Sequence, residues 1–173
     1  MDPIFKMQGK VCCFTGHRTI ERRHLSRLPS RLSELLLKKY GEGFRVFRAG
    51  GALGFDTLAA LSVLDLRRVY PDVRLELMLP CRDQAARWKP SDVSIYNSII
   101  AQADSVFYAE EIYTSYCMHK RNRMLVNGAD CCIAYYNGGD SGGTKYTYNY
   151  AQSRGVQTLN VWEDVDRRKL FFK

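Results

Sequence analysis

Short apolar runs alternate with longer amphipathic segments along this chain, and that pattern leaves few architectures open. Val11-Cys12-Cys13-Phe14 reads as a buried strand. A helix follows over 26–40, with Leu25, Leu28, Leu32, Leu35 and Leu36 on one face and Gly41 past its end. Residues 44–48 form a second strand. Asp56 stands where an N-cap would open a helix that Pro71 stops after Tyr70. The third strand, 73–79, ends at Pro80; a helix over 91–102 leads to a fourth strand at 105–108. A helix over 117–127 with Gly128 behind it, a strand over 129–136, a helix over 144–154 ended at Gly155, and a strand over 157–162 complete the series.

Strand, helix, strand repeated in this way predicts parallel pairing through right-handed crossovers. The strands are continuous apolar runs, as strands covered on both faces are. The expectation is a three-layer, doubly wound, Rossmann-like α/β fold with a mainly parallel sheet. It forms one domain over residues 10–162, between a flexible leader at 1–9 and a charged tail at 163–173. With 173 residues the chain is long enough for one domain with a proper core and short for two. No apolar stretch approaches the ~18–20 residues of a membrane span. The opening residues show no apolar core followed by small residues, so no secretory signal is expected.

The net charge is +8, unevenly spread. Residues 1–70 hold 13 Lys/Arg against 6 Asp/Glu, and residues 71–173 hold 13 against 12. A basic half suits an anionic partner such as nucleotide, nucleic acid or acidic lipid. The plainer reading is a solvated helix face, since Arg22, Arg23, Arg27, Arg31, Lys38 and Lys39 fall on or near one helix. The six cysteines make no C-x-x-C pair, and four of them sit as doublets in apolar runs. This usage points to a reducing, cytosolic compartment. Cys81 and Cys117 are the candidates for a reactive thiol. No H-E-x-x-H or Cys/His cluster suggests a metal.

In a doubly wound sheet, ligands bind beyond the carboxyl ends of the strands where strand order reverses. The turns to read are therefore Thr15-Gly16-His17-Arg18, the stretch from Gly50 to Asp56, residues 108–116, and the stretch from Asn137 to Thr144. With strand order 3-2-1-4-5, the turns after strands 2, 1, 4 and 5 would line one rim. Glycine lets backbone N–H groups approach a ligand, and a helix N-terminus adds unsatisfied donors. Gly142-Gly143-Thr144 before a helix is thus a phosphate cradle; the plainer reading is a tight turn. Neither glycine turn is G-x-G-x-x-G, and no G-x-x-x-x-G-K-[ST] is present.

Phe14-Thr15-Gly16-His17-Arg18, Gly51-Ala52-Leu53-Gly54-Phe55-Asp56, Pro80-x-x-x-Gln84-x-x-x-Trp88 and the Gly143-Thr144 helix opening together resemble the YpsA-like family of the SLOG superfamily. Other branches of that superfamily are the LONELY GUY phosphoribohydrolases and the Rossmann-like domain of DprA. The resemblance runs from about Val11 to Val161. It implies a nucleotide-binding site at Gly16, His17, Arg18, Gly50, Gly51, Ala52, Gly54, Asp56, Gln84, Trp88, Arg121, Asn122, Gly142, Gly143, Thr144 and Thr147.

Met118-His119-Lys120-Arg121-Asn122-Arg123-Met124 is similar to the LONELY GUY helix M-H-x-R-K-x-x-M, which puts Arg121 on that branch's catalytic arginine. The lysine of the pattern is Asn122 here, and the glutamate is Thr147. Thr147 carries no charge and is too weakly acidic to act as a base, so it cannot stabilise an oxocarbenium-like state. The expectation is a nucleotide-, ADP-ribose- or NAD-derivative-binding sensor or regulator with no certain cofactor and a possible homo-oligomeric state. The alternatives are a nucleoside monophosphate phosphoribohydrolase, with Asp56 and Arg121 as catalytic candidates, and a single-stranded nucleic-acid binder.

Several residues keep two readings. Asp56 is either an N-cap or a carboxylate in the site. His17 contacts ligand or bonds within its turn. Arg18 and Arg121 hold phosphate or ribose, or form ion pairs. Trp88 stacks on a base or caps the core. His119 and the tyrosines at 146, 148 and 150 read as helix-surface and packing residues.

Overall fold

A computed structural model describes residues 9–166. Residues 1–8 and 167–173, which hold most of the expected leader and the end of the expected tail, lie outside the described residues. The strands are β1 (Lys10–Gly16), β2 (Phe44–Ala49), β3 (Arg74–Leu79), β4 (Ser105–Tyr108), β5 (Cys131–Tyr135) and β6 (Gln157–Asn160). The helices are α1 (Leu28–Gly41), α2 (Phe55–Val69), α3 (Pro90–Gln102), α4 (Cys117–Val126), α5 (Gly143–Ser153) and α6 (Val161–Asp166). All strands are parallel, in the order β4-β3-β2-β1-β5-β6.

This order corrects the expected 3-2-1-4-5. β4 lies outside β3 at the edge, and β5 takes the place beside β1. The cause is local. The Asp104 carboxylate accepts the Leu75 N–H at 2.8 Å, the Asp104 N–H donates to the Leu75 carbonyl at 2.9 Å, and Arg67 of α2 pairs with the same carboxylate at 2.7 Å. The start of β4 is thereby fastened to β3. Half-covered Phe107 suits an edge position. The turn after β4 is therefore displaced from the centre of the rim, while the turns after β2, β1 and β5 remain neighbours.

α1 packs against α2 and α6, and α2 against α3; α4 and α5 pack together on the other face of the sheet. Alternate strand residues feed the two layers. Cys12 and Phe14 of β1 and Cys131, Ile133 and Tyr135 of β5 face the larger core, with Leu28, Leu32 and Leu36 of α1 against it. Cys13 and Cys132 face a smaller core with Leu125, Val126 and Ala151. Cys12 pairs in register with Cys131, and Cys13 with Cys132.

Three local readings are corrected. Leu25 precedes α1, after a 3-10 turn at Arg22–His24, and is 55% exposed instead of joining the leucine face. The last strand stops at Asn160, whose side-chain oxygen accepts the Trp162 N–H at 3.1 Å in the manner of a helix cap; Val161 and Val165 of the resulting α6 are buried. Cys81 and Cys117 are fully buried, and burial, with Asp83 beside it, pushes the Cys81 thiol up to about 12. A thiol so held is poor in thiolate and not a nucleophile at neutral pH. Among the described residues, no helix is long and apolar enough to cross a membrane.

Candidate functional site

The chain leaves β1 toward β2 on one side and leaves β5 toward β6 on the other. The strands adjoin, so their outgoing turns diverge and open a crevice at the rim. A cavity of about 600 Å³ fills it. Its walls are the β1 turn (Thr15 to Arg18), Ala52 and Asp56 after β2, one face of α4, and Ser141 to Thr144 at the start of α5. Met118, Arg121, Asn122 and Leu125 recur at the spacing that puts them on a single helix face.

The turn into α5 needs Gly142, whose φ of +103° lies in the region that side chains disfavour. Next to it a Cβ on Gly143 would meet only Asn122 Nδ2, at 3.7 Å. The backbone there borders open space. α5 begins with a glycine, and its first N–H groups face the helix end, where the macrodipole is positive. The Thr144 side chain is buried in the same wall.

The turn after β2 is built for close approach. Gly54 has φ +78°, and a Cβ there would lie 2.1 Å from the Arg18 carbonyl oxygen. It occupies the N-cap position of α2. Asp56 is therefore not the N-cap; it sits in the first helical turn, and its Oδ2 accepts the Ala52 N–H at 3.2 Å. Burial raises the Asp56 pKa, opposed by the nearby Arg121 charge and by the backbone N–H of Ala52. Burial likewise lowers the Arg121 pKa, opposed by Asp56. The two groups flank Gly50: a Cβ on that glycine would lie 2.6 Å from Arg121 Nη1 and 2.7 Å from Asp56 Oδ2.

Arg121 donates through Nη1 to the Gly50 carbonyl, through Nε to Asn122 Oδ1 at 2.9 Å, and through Nη2 to the Met118 sulfur at 3.7 Å. It thus braces the turn after β2 from α4 while lining the cavity. His17 Nε2 accepts the Asn137 N–H at 3.0 Å, which ties the β1 turn to the loop after β5. The His17 ring lies about 6 Å from those of Tyr135, Tyr136 and Trp162. Arg18 is exposed.

Of the residues singled out from sequence, Gly16, His17, Arg18, Ala52, Asp56, Arg121, Asn122, Gly142, Gly143 and Thr144 converge on the cavity wall. Gly50, Gly51, Gly54, Gln84, Trp88 and Thr147 do not line it. Gln84 donates to the Gly51 carbonyl at 3.1 Å, and half-buried Trp88 packs edge-on against Tyr96, so both support the glycine turn from behind. Thr147 donates to the Gly143 carbonyl at 2.9 Å inside its own helix. Met118, His119 and Ser141 line the cavity without having been singled out as site residues. The signals were present: Met118 and His119 belong to the helix motif at 118–124, Met118 also shares the Arg121-Asn122-Leu125 face, and Ser141 lies in the turn at 137–144.

The sequence model of the YspA SLOG family matches residues 12–164. The UPF0398 protein YpsA of Bacillus subtilis (strain 168) is 26% identical over 157 residues, covering 86% of this chain and 87% of that protein. A UPF0398 protein of Bacillus pumilus (strain SAFR-032) is 27% identical over 153 residues, covering 83% and 82%. An SPbeta prophage-derived protein, YoqJ, of Bacillus subtilis (strain 168) is 27% identical over 118 residues, covering 61% and 68%.

Proposed function

Because the chain belongs to the YspA SLOG family, we propose that it is a cytosolic nucleotide-binding protein that senses or regulates by holding a nucleotide, ADP-ribose or NAD-derived ligand. The observation that carries this reading is the cavity at the β1–β5 divergence, walled by the Gly142-Gly143-Thr144 opening of α5 and by Arg18 and Arg121. Main-chain N–H groups at the helix start would take a phosphate, and Arg18, the exposed cation of the wall, would meet a second anionic group. Arg121 already braces Gly50, so its part is to keep the turn in shape beside the ligand. A volume of about 600 Å³ is within the range of small-molecule sites.

Thermal denaturation against a panel of nucleotides and dinucleotides tests this. A ligand at 100 times its Kd adds about 2.7 kcal/mol. Gly143→Val should abolish the shift and keep the ligand-free midpoint, since its Cβ would make only an ordinary contact, with Asn122 Nδ2 at 3.7 Å. No stabilisation of the wild-type chain by any compound at millimolar concentration would overturn the reading.

A second reading, phosphoribohydrolase activity on a nucleoside monophosphate, draws on one observation: a buried carboxyl, Asp56, lines the cavity with its pKa raised by burial. Release of free base from monophosphates, lost in Asp56→Asn, is the result it requires. Equal release by both proteins would remove Asp56 from that role.

A further inference from the structure

The outer face of α4 and α5 carries two shallow hollows of about 490 and 470 Å³. They continue the cavity. His119 lines both the cavity and the first hollow, Gly142 both the cavity and the second, and Tyr146 both hollows. No Asp or Glu is among the described residues that line either one.

Rings and cations alternate along this strip. His119 meets Tyr146 edge-on at 4.6 Å, and Tyr146 and Tyr150 lie 6.2 Å apart with rings nearly parallel, at 6°. Arg123 donates to the Tyr146 hydroxyl at 2.9 Å and lies 5.8 Å from the Tyr150 ring centre. Lys145 donates to the Asp140 carbonyl at 2.9 Å. Arg123 and Lys145 thus bond neutral groups and keep their charge available to an anion; Lys120 pairs with Glu110 at 3.0 Å. The basic N-terminal half is different. Arg23, Arg31, Lys39, Arg45 and Arg48 are each matched to a carboxylate within 3.3 Å, so about half of its cations are already answered. Part of the charge excess visible in the sequence is therefore taken up by ion pairs around α1, while Arg123 and Lys145 on the opposite face stand beside rings, with no carboxylate partner among the described residues.

We propose that this strip binds single-stranded nucleic acid, with bases against His119 and Tyr146, Tyr150 backing them from the smaller core, and two or three phosphates against Arg123 and Lys145. Rings accept any base by stacking, and a basic groove without a carboxylate in its lining follows the backbone. Only the end of the path, where a terminal phosphate would enter the cavity, rests on the nucleotide-site reading above.

Fluorescence anisotropy of labelled dT12 and rU12 with the full chain tests it. The expected result is binding that weakens roughly tenfold between 50 and 200 mM salt, as two or three phosphate contacts on a single strand require. Comparing the two oligonucleotides distinguishes DNA from RNA. Arg123→Glu with Lys145→Glu should lower affinity at least tenfold, and Arg123→Gln with Lys145→Gln supplies the same test if charge reversal impairs folding. Tyr146→Leu should lower affinity several-fold. All three should leave mononucleotide binding in the cavity unchanged, whereas Gly143→Val should remove the latter and spare the strip. Charge-dependent oligonucleotide binding without mononucleotide binding would support the strip and defeat the cavity reading. No binding at 50 mM salt, or binding indifferent to these substitutions, would overturn the proposal. So would a dimer that the same substitutions dissociate while no oligonucleotide binds.

Discussion

Burial pushes the Asp56 carboxyl above its ordinary range, and Arg121 pulls the other way without cancelling it. A carboxyl whose folded pKa lies above its unfolded value holds its proton more tightly in the native state. Its contribution to stability is therefore full below the ordinary carboxylate range and is lost as pH rises through the folded pKa. Asp56→Asn lacks this titration, and its amide oxygen can still accept the Ala52 N–H. Chemical denaturation from pH 4 to 7 should show wild-type stability falling relative to Asp56→Asn; a constant difference would count against a raised pKa. Much of the site was legible at this scale. Gly142, Gly143 and Thr144 announced a helix opening, and Arg121 stood on a helix face pointing to the same rim. Asp56 kept two readings because an acid at a helix start is the usual mark of a cap; the cap position here falls on Gly54, where close contact with the Arg18 backbone leaves no room for a side chain, and Asp56 lines the cavity instead. Gln84 and Trp88 were placed in the site because sequence spacing cannot separate a residue that touches a ligand from one that supports the turn that does.

The elements themselves were legible, since their apolar runs and glycine or proline ends have the periods of buried strands and amphipathic helices. Their lateral order was not. Parallel strands joined by crossovers can be laid down in more than one order with the same local pattern, and here side chains such as Asp104 hold the β3–β4 edge. Removing them has a calculable effect. Asp104→Ala leaves the Leu75 N–H without its acceptor and Arg67 without its ion pair, so a loss of about 1–3 kcal/mol is expected. Urea denaturation would read it. Hydrogen exchange should show the loss concentrated in β3 and β4, and an even loss across the sheet would argue against a local tie. The missed helix α6 has a similar origin: one side chain, Asn160, caps it, and its sequence, Val161-Trp162-Glu163-Asp164, has no repeat long enough to show a period.

At the scale of the whole molecule, charge was the least informative quantity. A net +8 counts residues without regard to partners, and in the N-terminal half carboxylates from the distant segments at Asp72, Asp164 and Asp166 answer Arg45, Arg31 and Arg23. Cysteine content behaves in the opposite way. All six thiols are buried, four of them as register neighbours across the central strands β1 and β5. Native protein should resist iodoacetamide, and denatured protein should take up six equivalents. Early labelling of Cys81 or Cys117 alone would mean that their loops open independently of the sheet. The middle of this molecule therefore stores four latent nucleophiles, with two more buried near its rim, that surface only when the scaffold comes apart, so in an oxidising medium an excursion would be trapped by mispaired crosslinks, and alkylation stoichiometry gives a clock for how often such excursions occur.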